Sequence, residues 1–181
     1  MDQSPHTDAI LLSNENHLDN LGELGRQILD GSHIVATKDG VKNLALRPSF
    51  LGFGDWRKED VRIAGTTFHI TATRCKHLPG HECVDFIFSA KGSGAAPEGQ
   101  PNAVHFTEET VYIPELAKMA ENALQITMDG PQAARALRNI KADVLVPMHY
   151  ESWYDFNQQD EGLKGEFKQE GILEKIRWLE P

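Results

Sequence analysis

Asp8-Ala9-Ile10-Leu11-Leu12-Ser13 runs without a break into Asn14-Glu15-Asn16-His17-Leu18-Asp19-Asn20. A short apolar run between polar residues is the pattern of a strand buried on both faces. It delivers the chain into a segment in which every side chain but Leu18 is polar. Leu21, Leu24, Ile28 and Leu29 then recur at helical spacing and stop at Gly31, a residue suited to ending a helix. Asp143-Val144-Leu145-Val146-Pro147-Met148 repeats the arrangement towards the other end, a buried strand opening directly onto His149-Tyr150-Glu151-Ser152-Trp153.

Between these two segments the pattern keeps alternating. Ile34 to Thr37 reads as a strand and Asp39 to Leu46 as a short helix stopped by Pro48. Ser49 to Asp60, with Gly52, Gly54 and Trp56, reads as a loop feeding strands at Val61 to Ala64 and Thr66 to Thr73 across a turn at Gly65. After a loop from Arg74 to Glu82, Val84 to Ser89 is a strand with Phe86 and Phe88 on one face. Lys91 to Asn102, rich in Gly and Pro, is a surface excursion. Ala103 to Phe106 and Val111 to Ile113 bracket Thr107-Glu108-Glu109-Thr110. Pro114 opens a helix through about Ala123, and a second helix begins at Thr127-Met128-Asp129 with Ala133, Ala134, Leu137 and Ile140 on its apolar face. A helix over Glu161 to Gln169 and a strand over Ile176 to Leu179 complete the chain. Strands alternating with helices predict α/β layering, with helices covering sheet.

The 181 residues (20.2 kDa) suffice for one globular domain that buries roughly 70% of the surface its unfolded chain exposes, so residues 1–181 are read as a single domain. With 40% hydrophobic and 25% charged residues, fibrous and wholly disordered classes are excluded. No apolar stretch approaches the roughly 18 residues of a membrane helix, and Met1-Asp2-Gln3-Ser4-Pro5 lacks the basic start and apolar middle of a secretory signal, so the expected setting is cytoplasmic. Eighteen Lys and Arg against 27 Asp and Glu give a net charge of −9, which repels phosphate backbones and acidic membranes. Neither nucleic acid nor membrane is an expected partner. Cys75 and Cys83 lack C-x-x-C spacing and are expected as reduced thiols.

Four strand ends are followed at once by His or carboxylate: residues 14 to 20, His77, Glu108 with Glu109, and His149. Strand ends aligned along one sheet edge would bring these groups together, and neutral imidazole with carboxylate is a ligand set that suits zinc and related divalent ions. Each cluster alone has a plainer use. A lone His is commonly solvated, paired acids commonly form a solvated turn, and Asp19 could cap the helix beginning near Leu21.

Ser13 to Leu21, Thr71-Ala72-Thr73-Arg74-Cys75-Lys76-His77, Phe106 to Val111, Thr127-Met128-Asp129-Gly130 and Val146-Pro147-Met148-His149-Tyr150-Glu151-Ser152-Trp153 follow in the order and local context of metallo-β-lactamase-fold proteins. The chain most resembles the branch of uncharacterised bacterial and fungal hydrolases distantly related to ascorbate-phosphate lactonases, over about Asp8 to Trp178. The resemblance implies an αββα sandwich with one or two metal ions, usually zinc, at the sheet edges. By position it implies that Glu15, His17, Asp19 and Asn20 stand in the H-x-H-x-D-H loop, that His77 and His149 are the further His ligands, and that Glu109 replaces the bridging Asp. The implied metal ligands are therefore Glu15, His17, Asp19, His77, Glu109 and His149, with Asp19 also orienting water. The implied chemistry is attack of metal-bound hydroxide on an ester, a lactone or a similar small substrate.

The sequence departs from that pattern. Asn14 stands where the branch has His, and Thr107-Glu108-Glu109 stands for Ser-Gly-Asp. The longer carboxylate of Glu109 favours one ion over two. Relatives also carry strands ahead of the Asp8 segment, and a strand and loop where only Ala123-Leu124-Gln125-Ile126 remains, so the sandwich is expected to be trimmed. Open edges are a liability unless covered, and a homodimer is one cover. The competing reading is a catalytically inactive protein of the same fold with a binding or assembly role. Of the remaining residues, His6 and His33 are expected on the surface and His69 as a satisfied strand residue. His81 and His105 flank the site, either as spare ligands or outer-shell partners or simply exposed. Trp178 is expected to pack, and Tyr150 and Trp153 either pack or line a substrate pocket.

Overall fold

The computed structural model describes residues 6–16, 21–44, 49–76, 82–95, 99–107, 123–126, 129–148 and 160–179. The opening apolar run forms β1 (Ala9–Leu12). The chain then passes through α1 (Glu23–Gln27) to β2 (His33–Thr37) and through α2 (Lys38–Asn43) to β3 (Phe50–Phe53). These strands make a parallel sheet in the order β1-β2-β3, with Leu11, Val35 and Leu51 in one register row. A second sheet, β4 (Lys58–Ile63), β5 (Thr66–Arg74), β6 (Val84–Ala90), β7 (Ala103–Phe106) and β8 (Ala123–Ile126), runs in chain order. It is antiparallel up to β7, and β7 pairs with β8 in parallel.

Strand alternation assigns the layers. Val35 and Phe53 of the first sheet meet Val61, Ile63, Ile70, Ala72, Val84 and Phe86 of the second in a core between the sheets, where Phe53 and Phe86 pack edge to face at 6.3 Å. The outer face of the first sheet, Leu12, Ile34, Ala36 and Phe50, buries Leu21, Leu29 and Leu44. On the far side, α3 (Gly130–Asn139) and α4 (Asp160–Gln169) enclose Ala133, Ala134, Leu137, Ile140, Leu163 and Phe167, with Ile87 of β6 packed against them. The layers are therefore helix, sheet, sheet, helix, as the resemblance implies. Asp129 caps α3, its Oδ1 accepting the Gln132 amide at 2.7 Å, and a proline occupies the first turn.

Five readings are corrected. Phe50–Phe53 is a strand within the stretch expected to be loop. Gly52 there is not a turn signal but a packing site, since a Cβ would stand 3.2 Å from Val41 Cγ2 and 3.3 Å from Lys38 Cα of α2. Residues 123–126 form a strand, where no strand was expected and the preceding helix was expected to end at about Ala123. The expected strands at Asp143 to Met148 and Ile176 to Leu179 reduce to one bridged pair, Leu145 with Ile176, in a stretch where Pro147 has no amide to offer a ladder. The helix after Leu21 spans only five residues, because Gly22 and Gly25 weaken it, and Leu24 and Ile28 are 79% and 59% exposed. His105, fully buried, is not the exposed residue that was one of its readings. The expected elements at Val111 to Ile113 and from Pro114 lie outside the described residues.

Candidate metal centre

Backbone register draws the stems of the site segments to one edge. The Val84 amide donates to the Ser13 carbonyl at 3.1 Å, tying the end of β1 to the start of β6. Arg74 at the end of β5 pairs with Val84, Phe86 pairs with Phe106 near the end of β7, and Phe106 pairs with Ile126 at the end of β8. The segments beginning at residues 14, 75, 107 and 127 thus leave neighbouring strand ends, the arrangement that places function at a sheet edge in layered α/β folds. His17, Asp19, His77, Glu109 and His149, like Asn20, His81, Tyr150 and Trp153, lie outside the described residues. Among the described residues no three His, Cys, Asp or Glu gather as an ion site. As a donor set, three imidazoles and two carboxylates fit a borderline divalent ion such as zinc.

Glu15 is the one proposed ligand that is described. It is 4% exposed, its Oε1 accepts the Asn43 side-chain amide at 2.6 Å, and its backbone carbonyl accepts Arg26 Nη2 at 3.4 Å. Its Oε2 is buried with no hydrogen-bond partner among the described residues. Asn14, also buried, turns its Oδ1 back to the Asn16 amide at 3.3 Å. The helix that follows is capped by Gly22 without a side-chain bond, so capping of α1 does not account for Asp19.

A second polar feature escaped the sequence reading. Thr73 and Asp85 are register partners on the helix-facing side of the second sheet, and His105, partnered with Ile87, lies on the same side one row away. Thr73, Asp85, His105 and Thr107 are all fully buried. Burial depresses the His105 imidazole from 6.5 to about 4, so it is neutral at pH 7. The polar alternation of Thr71, Thr73 and Asp85 against the apolar Ile70, Ala72 and Phe86 carried the signal. Among the described histidines, His6 and His33 are on the surface, and His69 is satisfied by Asp60 at 2.5 Å. Both cysteines are thiols and not half-cystines, as expected, and Trp178 packs on Phe167 at 6.1 Å between ring centres.

No family model matches the chain, and no curated protein does. Solved structures do. The novel metallo hydrolase Igni18 from the hyperthermophilic archaeon Ignicoccus hospitalis superposes with a TM-score of 0.74 at 21% identity, over 97% of this chain and 77% of its own. The isothiocyanate hydrolase from Delia radicum gut bacteria gives 0.71 at 13% identity, over 96% and 74%. YhfI from Bacillus subtilis, a metallo-β-lactamase fold protein, gives 0.63 at 17% identity, over 96% and 75%. The chain has the metallo-β-lactamase fold. No helix among the described residues is long and apolar enough to cross a membrane.

Proposed function

We propose that the protein is a metal-dependent hydrolase that holds one zinc ion through His17, Asp19, His77, Glu109 and His149 and acts on an ester, a lactone or a similar small substrate. The observation that carries this reading is the register that draws the ends of β1, β5, β7 and β8 to one edge, from which most of these donors' segments depart. The names of two structural neighbours, both hydrolases, support the reaction class. A bound divalent ion supplies Lewis acidity, polarising a carbonyl and bringing the pKa of water towards about 7. Around it, the imidazoles of His17, His77 and His149 act as neutral donors, while the carboxylate of Asp19 accepts a hydrogen bond from the attacking water and orients it.

Hydrolysis of small esters and lactones by zinc-loaded protein is the test. Turnover that disappears in His77→Ala and His149→Ala, together with the zinc, is the expected result. Stoichiometric zinc without turnover on either substrate class would favour the inactive, binding alternative.

A further inference from the structure

We propose that Glu15 is a positioning residue, not a metal ligand: its carboxylate, fastened to Asn43 of α2, sets the pose of the loop that carries His17 and Asp19. This rests on the metallo-hydrolase reading for the role of those two residues, while the clamp itself is a matter of geometry. Glu15 is gripped twice. Arg26 holds its backbone carbonyl, and the Asn43 amide, 28 residues away in the chain, donates to its Oε1 at 2.6 Å.

The other oxygen is seated against the helix. A Cβ on Gly40 would stand 2.9 Å from Glu15 Oε2 and 2.9 Å from Thr37 Oγ1, so this carboxylate occupies space that exists because residue 40 is glycine. Thr37 Oγ1 in turn accepts the Gly40 amide at 2.8 Å and fixes the first turn of α2. Zinc bound to a carboxylate oxygen needs an open approach at about 2.0–2.2 Å. Oε2 is instead buried beside Gly40, while Oε1 is committed to Asn43. Glu15 lies two residues before His17 and four before Asp19. Ligating side chains need support to within roughly 0.5 Å, and a buried two-point clamp at the root of their loop supplies it.

Three variants decide the matter: Glu15→Ala, Asn43→Ala and the near-isosteric Glu15→Gln, which keeps an oxygen acceptor for Asn43. Zinc affinity is read by chelator competition, ligand geometry by the visible spectrum of the cobalt(II)-substituted protein, and loop order by hydrogen exchange of the amides at 16–20 in metal-free protein. Glu15→Ala and Asn43→Ala should each weaken zinc by roughly 10–100-fold and speed the same amides, and the double variant should be no worse than either alone. Glu15→Gln should stay within about threefold of wild type and keep its cobalt spectrum. A Gln variant that loses the spectrum as Ala does would make Glu15 a ligand, and an Asn43→Ala protein with unchanged zinc affinity and exchange would remove the clamp. If wild-type protein binds no zinc, the metallo-hydrolase reading fails, and exchange at 16–20 still decides whether Glu15 and Asn43 order the loop.

Discussion

The Val84 amide meets the Ser13 carbonyl at 3.1 Å, joining the last residue before the polar 14–20 segment to the strand that follows the segment of His77. Two stretches some seventy positions apart thereby depart from one point. The hydrophobic core between the sheets holds them there, because Val84 is fully buried in it. Strand pairing thus draws the stems of the candidate centre's segments together.

His105 makes stability depend on pH. Its folded value, about 4, lies below the unfolded 6.5, so the unfolded chain takes up a proton first on acidification. The stabilisation is complete above pH 6.5 and is lost as pH falls towards 4. Over that interval it amounts to roughly 3 kcal/mol. Urea unfolding of wild type should show this decline, and His105→Leu should flatten it by about that amount. Parallel pH profiles in the two proteins would contradict the assignment.

Leu137 sits at the centre of the helix layer over the second sheet. Leu137→Ala should cost about 2–5 kcal/mol by leaving a cavity, read as a lower denaturation midpoint with an unchanged denaturant slope. A loss below about 1 kcal/mol would mean that the layer is not packed as described.

Asp129, within the Thr-Met-Asp-Gly signature, has a capping role in the structure. Asp129→Ala should lose about 1 kcal/mol of stability and Asp129→Ser or Asn little of it. Zinc affinity should not follow the same order.

The outer edge of β1 has no strand beside it among the described residues, and Ala9, Ile10 and Leu11 are partly exposed. We expect a homodimer to cover an open sheet edge. Light scattering should give twice 20.2 kDa, and a stable monomer would refute it.

What was legible in the sequence follows from period and punctuation. Ile34 to Thr37, Thr66 to Thr73 and the Ala133, Ala134, Leu137, Ile140 stripe each carried a local pattern that burial then used, whereas in the opening strand, read as buried on both faces, only Leu12 is buried. Phe50–Phe53 was hidden because the glycine that admits α2 to the strand looks, in one dimension, like a turn. Leu24 and Ile28 misled in the other direction, since correct spacing does not guarantee a surface to bury against. The family-like loop marked Glu15 as a ligand candidate. No local signal showed that Asn43 and Gly40 would receive its carboxylate, because that pairing is made only in the folded chain, between residues 25 and 28 positions apart. For Thr73 and Asp85 the polar alternation was local, but their pairing is set by the register of β5 and β6.

The zinc content of the purified protein, measured by elemental analysis and completed by titration, tests the central claim most directly. About one equivalent is the expected result, with an affinity loss in His17→Ala, His77→Ala and His149→Ala larger than the roughly 10–100-fold that follows loss of an outer-shell partner. Less than about 0.2 equivalents of any transition metal, with no uptake on titration, would contradict it.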